Sequence, residues 1–163
     1  MLEKRMEQAL NEQIKEEFSS AYLYLAMAAY LAAEGWDGMA QWMRIQAKEE
    51  VEHGLKLFDH VLERGGRVEL LALPQPQASW ASPLEAFRAA YEHERYITSC
   101  IDKLMDLARE LGDYATQTML HWFVTEQVEE EDQTRKIVEL MERVGDSGRS
   151  LALVDQRLGA RQG

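Results

Sequence analysis

Four glutamates and one histidine carry the chemistry this sequence can do. Glu50 and His53 lie three residues apart within Ala47-Lys48-Glu49-Glu50-Val51-Glu52-His53-Gly54. On a helix that spacing sends both side chains from one face, where they can close on a single ion. Glu-x-x-His also arises by chance as two solvated side chains, so its meaning depends on what shares the face. Read at alternating steps of three and four, the chain shows four stripes that are apolar except at one level. The first is Leu10, Ile14, Glu17, Ala21, Tyr24, Ala28, Leu31, and the second is Met39, Met43, Gln46, Glu50, His53, Leu57, Val61. The third is Leu84, Phe87, Tyr91, Glu94, Thr98, Ile101, Met105, and the fourth is Met119, Phe123, Gln127, Glu130, Thr134, Ile137, Met141, Val144.

An internal repeat ties the interruptions together. A shift of 77 residues, the distance from Gly35 to Gly112, lays Glu17 on Glu94, Glu50 on Gln127 and His53 on Glu130. Two similar helical hairpins packed face to face would bring these polar groups to one level inside a bundle. Glu17, Glu50, Glu94 and Glu130 buried there without partners would each cost several kcal/mol, and no Lys or Arg lies on the four stripes. Two divalent cations would cancel the four charges, with His53 as a neutral nitrogen ligand. Protonated carboxyls sharing hydrogen bonds are the competing account.

Oxygen-rich ligands with one imidazole argue against a thiolate zinc site and against an all-oxygen calcium or magnesium cage, and favour iron or manganese. Because Gln127-x-x-Glu130 stands where the repeat would place a second Glu-x-x-His, the two positions should differ. A tighter one is expected from Glu17, Glu50 and His53, and a weaker one from Glu50, Glu94 and Glu130, with Glu50 bridging. Glu126, Glu129 and Glu130 share a face, so Glu49, Glu126 and Glu129 are candidates for a third cation, the alternative being a solvated helix face. Tyr24, two turns after Glu17, is placed to hydrogen-bond a ligand or to give up an electron; otherwise it is an ordinary core tyrosine. Trp122 reads as packing, and His60, His93 and His121 as structural or surface residues. Gly54, a glycine inside a helix, predicts a close contact beside His53.

The elements that must position these groups are helices. Alanine, leucine and glutamate abound and there are only three prolines, a helical composition. Gly35, Gly65, Gly66, Pro83, Gly112 and Gly145 divide the chain into helices expected over 3–33, 37–64, 83–110, 113–144 and 149–159. Each long segment would extend about 40 Å at 1.5 Å per residue. Short turns at 34–37 and 111–113 make two antiparallel hairpins, whereas 65–82 is long enough to cross the bundle. Its Val68, Leu70, Leu71 and Leu73 are expected to pack on the surface. The expected fold is all-α: one domain, 1–163, a four-helix bundle with a long crossover between helices two and three and a short fifth helix.

A net charge of −11 argues against binding nucleic acid through its phosphates and favours cations. The longest apolar run, Ala21 to Ala33, is too short to span a bilayer. A single cysteine, Cys100, and an N-terminal stretch lacking the apolar core of a signal peptide lead to the expectation of a cytoplasmic protein without a disulfide.

Over nearly its whole length the chain resembles the ferritins, in particular the non-haem type of bacteria and archaea. The resemblance rests on Leu10-Asn11-Glu12-Gln13 leading to Glu17, Glu49-Glu50-Val51-Glu52-His53, Arg64-Gly65-Gly66-Arg67-Val68, Glu94, and Trp122 through Glu131. It implies a ferroxidase centre of Glu17, Glu50, His53, Glu94 and Glu130 with Gln127 beside it, and a third iron site at Glu49, Glu126 and Glu129. It further implies a homo-oligomeric cage, usually of twenty-four subunits. Such a cage oxidises Fe(II) in pairs with dioxygen or peroxide and stores the ferric product as hydrated oxide. Haem is not expected, because Val51 stands where a bacterioferritin, otherwise similar, has its haem-ligating methionine. A di-iron or di-manganese redox enzyme of peroxidase type, using the same ligands without storing mineral, is the alternative.

Overall fold

The helices begin where side chains take over hydrogen bonds that the backbone cannot make for itself. In the computed structural model, which describes residues 1–163, Glu3 caps α1 (Lys4–Ala33) by accepting from the Arg5 and Met6 N–H groups. Ser82 caps α3 (Pro83–Glu110) through the Glu85 N–H, with Pro83 opening the first turn. Asp113 caps α4 (Tyr114–Val144) through the Thr116 N–H, and Ser147 caps α5 (Gly148–Gly159) through the Ser150 N–H. Only α2 (Asp37–Glu63) lacks a side-chain cap from its own N-cap residue, Trp36. Its cap comes from α5, where Asp155 Oδ1 accepts from the Met39 N–H at 2.8 Å.

Pairings across the bundle fix the topology. Along α1 and α3, Arg5 meets Glu110, Ser20 meets His93 and Tyr24 meets Glu94, so numbering rises in one as it falls in the other. The short turn makes α1 and α2 antiparallel too, so α2 and α3 are parallel, as a crossover requires. Residues 64–73 begin that crossover by lying along α1. The Asn11 amide donates to the Arg67 carbonyl (3.0 Å) and accepts from the Glu69 N–H (2.9 Å), and Glu7 accepts from the Arg67 N–H (3.0 Å). Val68 packs against the core and Leu71 is half-buried, but Leu70 and Leu73 are exposed, contrary to the sequence expectation. The backbone bonds to Asn11 and Glu7 hold this segment only as far as Glu69, and Leu70 and Leu73 lie beyond them.

The first two stripes are buried throughout. The third is displaced, with Leu84, Tyr91 and Thr98 only half-buried and Ala90, Ile97 and Leu104 taking inner places. In the fourth, Val144 is exposed, at the end of α4 where the bundle stops. Two apolar clusters result. One holds Met27, Leu31, Met39, Met43, Phe87 and Met141, the other Met6, Leu10, Ile14, Leu57, Ile101 and Phe123. The polar level of the stripes lies between them.

Gly54 is in a crowded place: a β-carbon added there would collide with the Phe18 ring. Helix propensity alone would make Gly54→Ala stabilising by about 1 kcal/mol, but forcing Phe18 aside should cost about 1–3 kcal/mol. The net expectation is a lower urea midpoint with an unchanged m-value. Gly38 lies inside the first turn of α2, where a β-carbon would fall on the Asp155 carbonyl. That glycine lets α5 dock.

Candidate metal centre

Each carboxylate of the polar level is carried by a different helix and reaches the bundle axis because its stripe does. Glu17, Glu50, Glu94, Gln127 and Glu130 are at most 2% exposed, and His53 is 4% exposed. Their ligand-type atoms gather in three groups, each within 4.8 Å: Glu17, Glu50 and His53; Glu50, Glu94 and Glu130; and His53, Glu126 and Glu130. The first two share Glu50. His53 turns Nδ1 toward Glu50 Oε2 (3.2 Å) and Glu17 Oε2 (3.9 Å), and Nε2 toward Glu126 Oε1 (3.6 Å). Trp122 and Phe123 stand edge-on to the imidazole at 5.3 and 6.1 Å, and Lys56 lies over the Trp122 ring. The packing expected of Trp122 is thus packing against His53.

Polar neighbours hold the carboxylates in place. The Gln13 amide donates to Glu17 Oε1 (3.1 Å), and Gln46 donates to Glu50 Oε1 (3.2 Å) and Glu130 Oε2 (2.5 Å). The Tyr24 hydroxyl donates to Glu94 Oε1 (2.5 Å), and Gln127 donates to Glu94 Oε2 (3.1 Å). One oxygen has no hydrogen-bond partner, the buried Glu17 Oε2. A carboxylate oxygen shut away from water without a donor requires a cation or a proton.

The outer acids are arranged differently. Glu126 is half-buried and Glu129 exposed, and Glu129 joins none of the three groups. Glu49 instead accepts from Arg161 Nη2 at 3.0 Å. Glu131 is half-buried and accepts from the Thr98 hydroxyl (2.9 Å). Among the other histidines, His60 is buried against the Thr116 hydroxyl, and His93 meets the Ser20 hydroxyl at 2.6 Å. Burial pulls His93 down to about 4, so it is neutral.

Without metal the inner carboxyls bind protons more readily than free ones. Burial, then the Glu50 charge, pushes Glu17 well up, and burial followed by the Glu94 charge does the same to Glu50. Burial raises Glu94 against the Tyr24 and Gln127 hydrogen bonds. It lifts Glu130 from 4.5 to about 9, helped by the Glu94 charge. For Glu130 a folded-state value above the unfolded one means stability that is complete below about 4.5 and drains away as pH rises toward 9, at about 1.4 kcal/mol per unit; the other three shift in the same direction. The metal-free protein should therefore lose thermal stability between those limits, and Glu130→Gln should flatten the slope. A melting series in chelator checks both.

Gln13 and Gln46 were open to discovery in the sequence, because each lies four residues before a stripe acid and so within its reach on a helix. Arg161 was not, since nothing near it in sequence points to Glu49.

Comparison with known proteins agrees with this geometry. Residues 7–144 match the family model of the ferritin-like domain. Bacterial non-haem ferritins are similar along the whole chain. That of Bacteroides fragilis is 39% identical over 161 residues, spanning 99% of this chain and 100% of its own. That of Staphylococcus aureus is 38% identical over 161 residues, spanning 99% and 97%. Among solved structures, an open-pore ferritin from the archaeon Archaeoglobus fulgidus superposes with a TM-score of 0.98 at 46% identity, covering 99% of this chain and 100% of the other.

Proposed function

The chain belongs to the ferritin family, and from that premise we propose that it takes up Fe(II) in pairs at the bundle centre, oxidises it and stores the ferric product as hydrated oxide inside a homo-oligomeric cage, of twenty-four subunits as is usual in the family. The observation that carries this reading is the orphaned Glu17 Oε2 in the first of two ligand groups that share Glu50.

One Fe(II) takes Glu17, Glu50 and His53 Nδ1; the other takes Glu50, Glu94 and Glu130; Glu50 bridges. Ligation needs these carboxyls ionised while burial favours their protonated forms, so uptake strengthens as pH rises. Each ion then gives one electron, and dioxygen with two electrons and two protons becomes hydrogen peroxide; peroxide as oxidant becomes two waters. Holding two irons together supplies both electrons in one encounter. Tyr24 fixes Glu94 through its hydroxyl. Gln127 steadies the other Glu94 oxygen. Glu49, Glu126 and Glu129 form the outer site through which a third ion reaches the pair, Glu126 touching both groups by way of His53 and Glu130.

Self-association is supported by apolar side chains left outside. Leu25 and Val51 line the outer groove between α1 and α2, and Tyr22, Leu55, Leu70 and Leu73 are exposed as well. Solvent-facing leucines and tyrosines in such number mark a surface that another subunit covers. No helix is long and apolar enough to cross a membrane, and the acidic surface suits cations rather than nucleic acid.

The test is aerobic addition of Fe(II) to purified protein, following ferric absorbance, particle size and iron retained per subunit. Rapid oxidation with many irons kept per subunit in a large particle is expected. Rapid oxidation with only about two irons held per chain would replace storage by a small-molecule redox enzyme.

A further inference from the structure

Beyond α5 the chain folds back on α2 and delivers a guanidinium to the edge of the centre. Arg161 donates from Nη1 to the Trp42 carbonyl (3.3 Å) and to Gln46 Oε1 (3.0 Å), and from Nη2 to Glu49 Oε2 (3.0 Å). Its guanidinium carbon lies 4.5 Å from the centroid of the Trp42 ring. The Arg161 side chain is 16% exposed, that of Glu49 36%. Gly163 follows, set against Ile45. A cation thus already stands at one of the three outer carboxylates, held by three hydrogen bonds and an aromatic face.

We propose that Arg161 is a displaceable counter-cation of the outer site: a metal ion binds Glu49 only by driving the guanidinium off it. This rests on the reading of the centre given above and names how its outer position is controlled. The chemistry is an exchange of one cation for another on a carboxylate, with no bond made or broken beyond ligation. Because arginine can only donate, the contact with Gln46 also fixes which way that amide faces. Its oxygen must point at Arg161, so its NH₂ points at Glu50 and Glu130, which it reaches. Displacement of Arg161 therefore releases the donor that Gln46 holds against the bridging carboxylate, and loading of the outer site is felt at the inner pair.

The test uses Zn(II), which cannot be oxidised, titrated calorimetrically into the full-length, iron-free assembly. In the wild-type protein the inner events come first and a weaker third event per subunit follows. Arg161→Gln should tighten that third event about tenfold, the gain from removing a competing charge-assisted pair, while the inner events move less than threefold. Glu49→Gln should abolish it. Arg161→Lys, which keeps the charge and loses the fork, should fall between, and it covers the case in which Arg161→Gln does not assemble. Tryptophan emission gives a second readout, because Arg161 leaves the Trp42 face: emission should change at the third equivalent in wild type and not in Arg161→Gln. Equal third-event affinities in wild type and Arg161→Gln, a third event untouched by Glu49→Gln, or no third event in any of these proteins would overturn the proposal. Weakening of the inner events alone would overturn it too, since Arg161 would then serve only to orient Gln46. Absence of the inner events themselves would instead count against the paired centre.

Discussion

Glu50→Leu is expected to abolish paired iron oxidation and, at the same time, to make the metal-free protein more stable. Glu50 belongs to both inner ligand groups, so leucine removes the bridge and one ligand from each ion. Loss of a residue that merely supports a metal ligand typically costs 10–100-fold, and loss of a bridging ligand should cost at least about 100-fold in the initial rate of Fe(II) oxidation. The metal-free fold has the opposite interest. Glu50 is fully buried among carboxyls that raise one another's proton affinity, and replacing a buried ionisable group by a packed apolar one of similar size often gains about 1–4 kcal/mol. The gain should widen toward pH 9, where the wild-type carboxyls lose their protons, and should vanish once wild type is given metal. Chemical denaturation in chelator at two pH values, beside a stopped-flow oxidation trace, measures both halves. A metal-free Glu50→Leu protein less stable than wild type at alkaline pH would show that the carboxylates are not in conflict with the fold.

Gly38→Val should detach α5. The added β-carbon would land on the Asp155 carbonyl, whose own side chain caps α2 through the Met39 N–H. Backbone cannot yield as a side-chain tip can, so the helix must lift, exposing Val154 and Leu158, its two buried residues. Overpacking with loss of a cap should cost about 3 kcal/mol. The four long helices bury the great majority of the core without α5, so the damage should stay local. The expected result is a lower first melting step, with rapid proteolysis near Gly145–Ser147 and hydrogen exchange raised over 148–163 while α1 and α3 keep their protection. Global unfolding in one step would mean that α5 is integral to the bundle.

Glu17, Glu50, Glu94 and Glu130 were legible in the sequence because a charge on an apolar stripe contradicts the stripe, and only a shared partner resolves four such contradictions at one level. The helices were legible for the same reason of period, and their caps at Ser82 and Asp113 are local. What escaped depended on how α5 docks. Asp155 caps a helix 116 positions away, and Arg161 reaches Glu49 across 112; neither relation leaves a periodic trace. Leu70 and Leu73 were expected to pack because they are leucines, whereas the bonds that tie the crossover to Asn11 and Glu7 end at Glu69, a limit hydropathy does not encode.

The unequal halves of the repeat bear on how a functioning subunit comes into being. Glu17, Glu50 and His53 all belong to the first hairpin, which is complete at residue 63, before the second has been synthesised. Glu94 and Glu130 arrive only with the second. A growing chain that has folded its first hairpin already has donors for one ion, but it has no place for two. On the proposed mechanism, two-electron reduction of the oxidant would begin only when the hairpins have closed on each other, so the molecule's reactivity would itself be a report that its folding is finished.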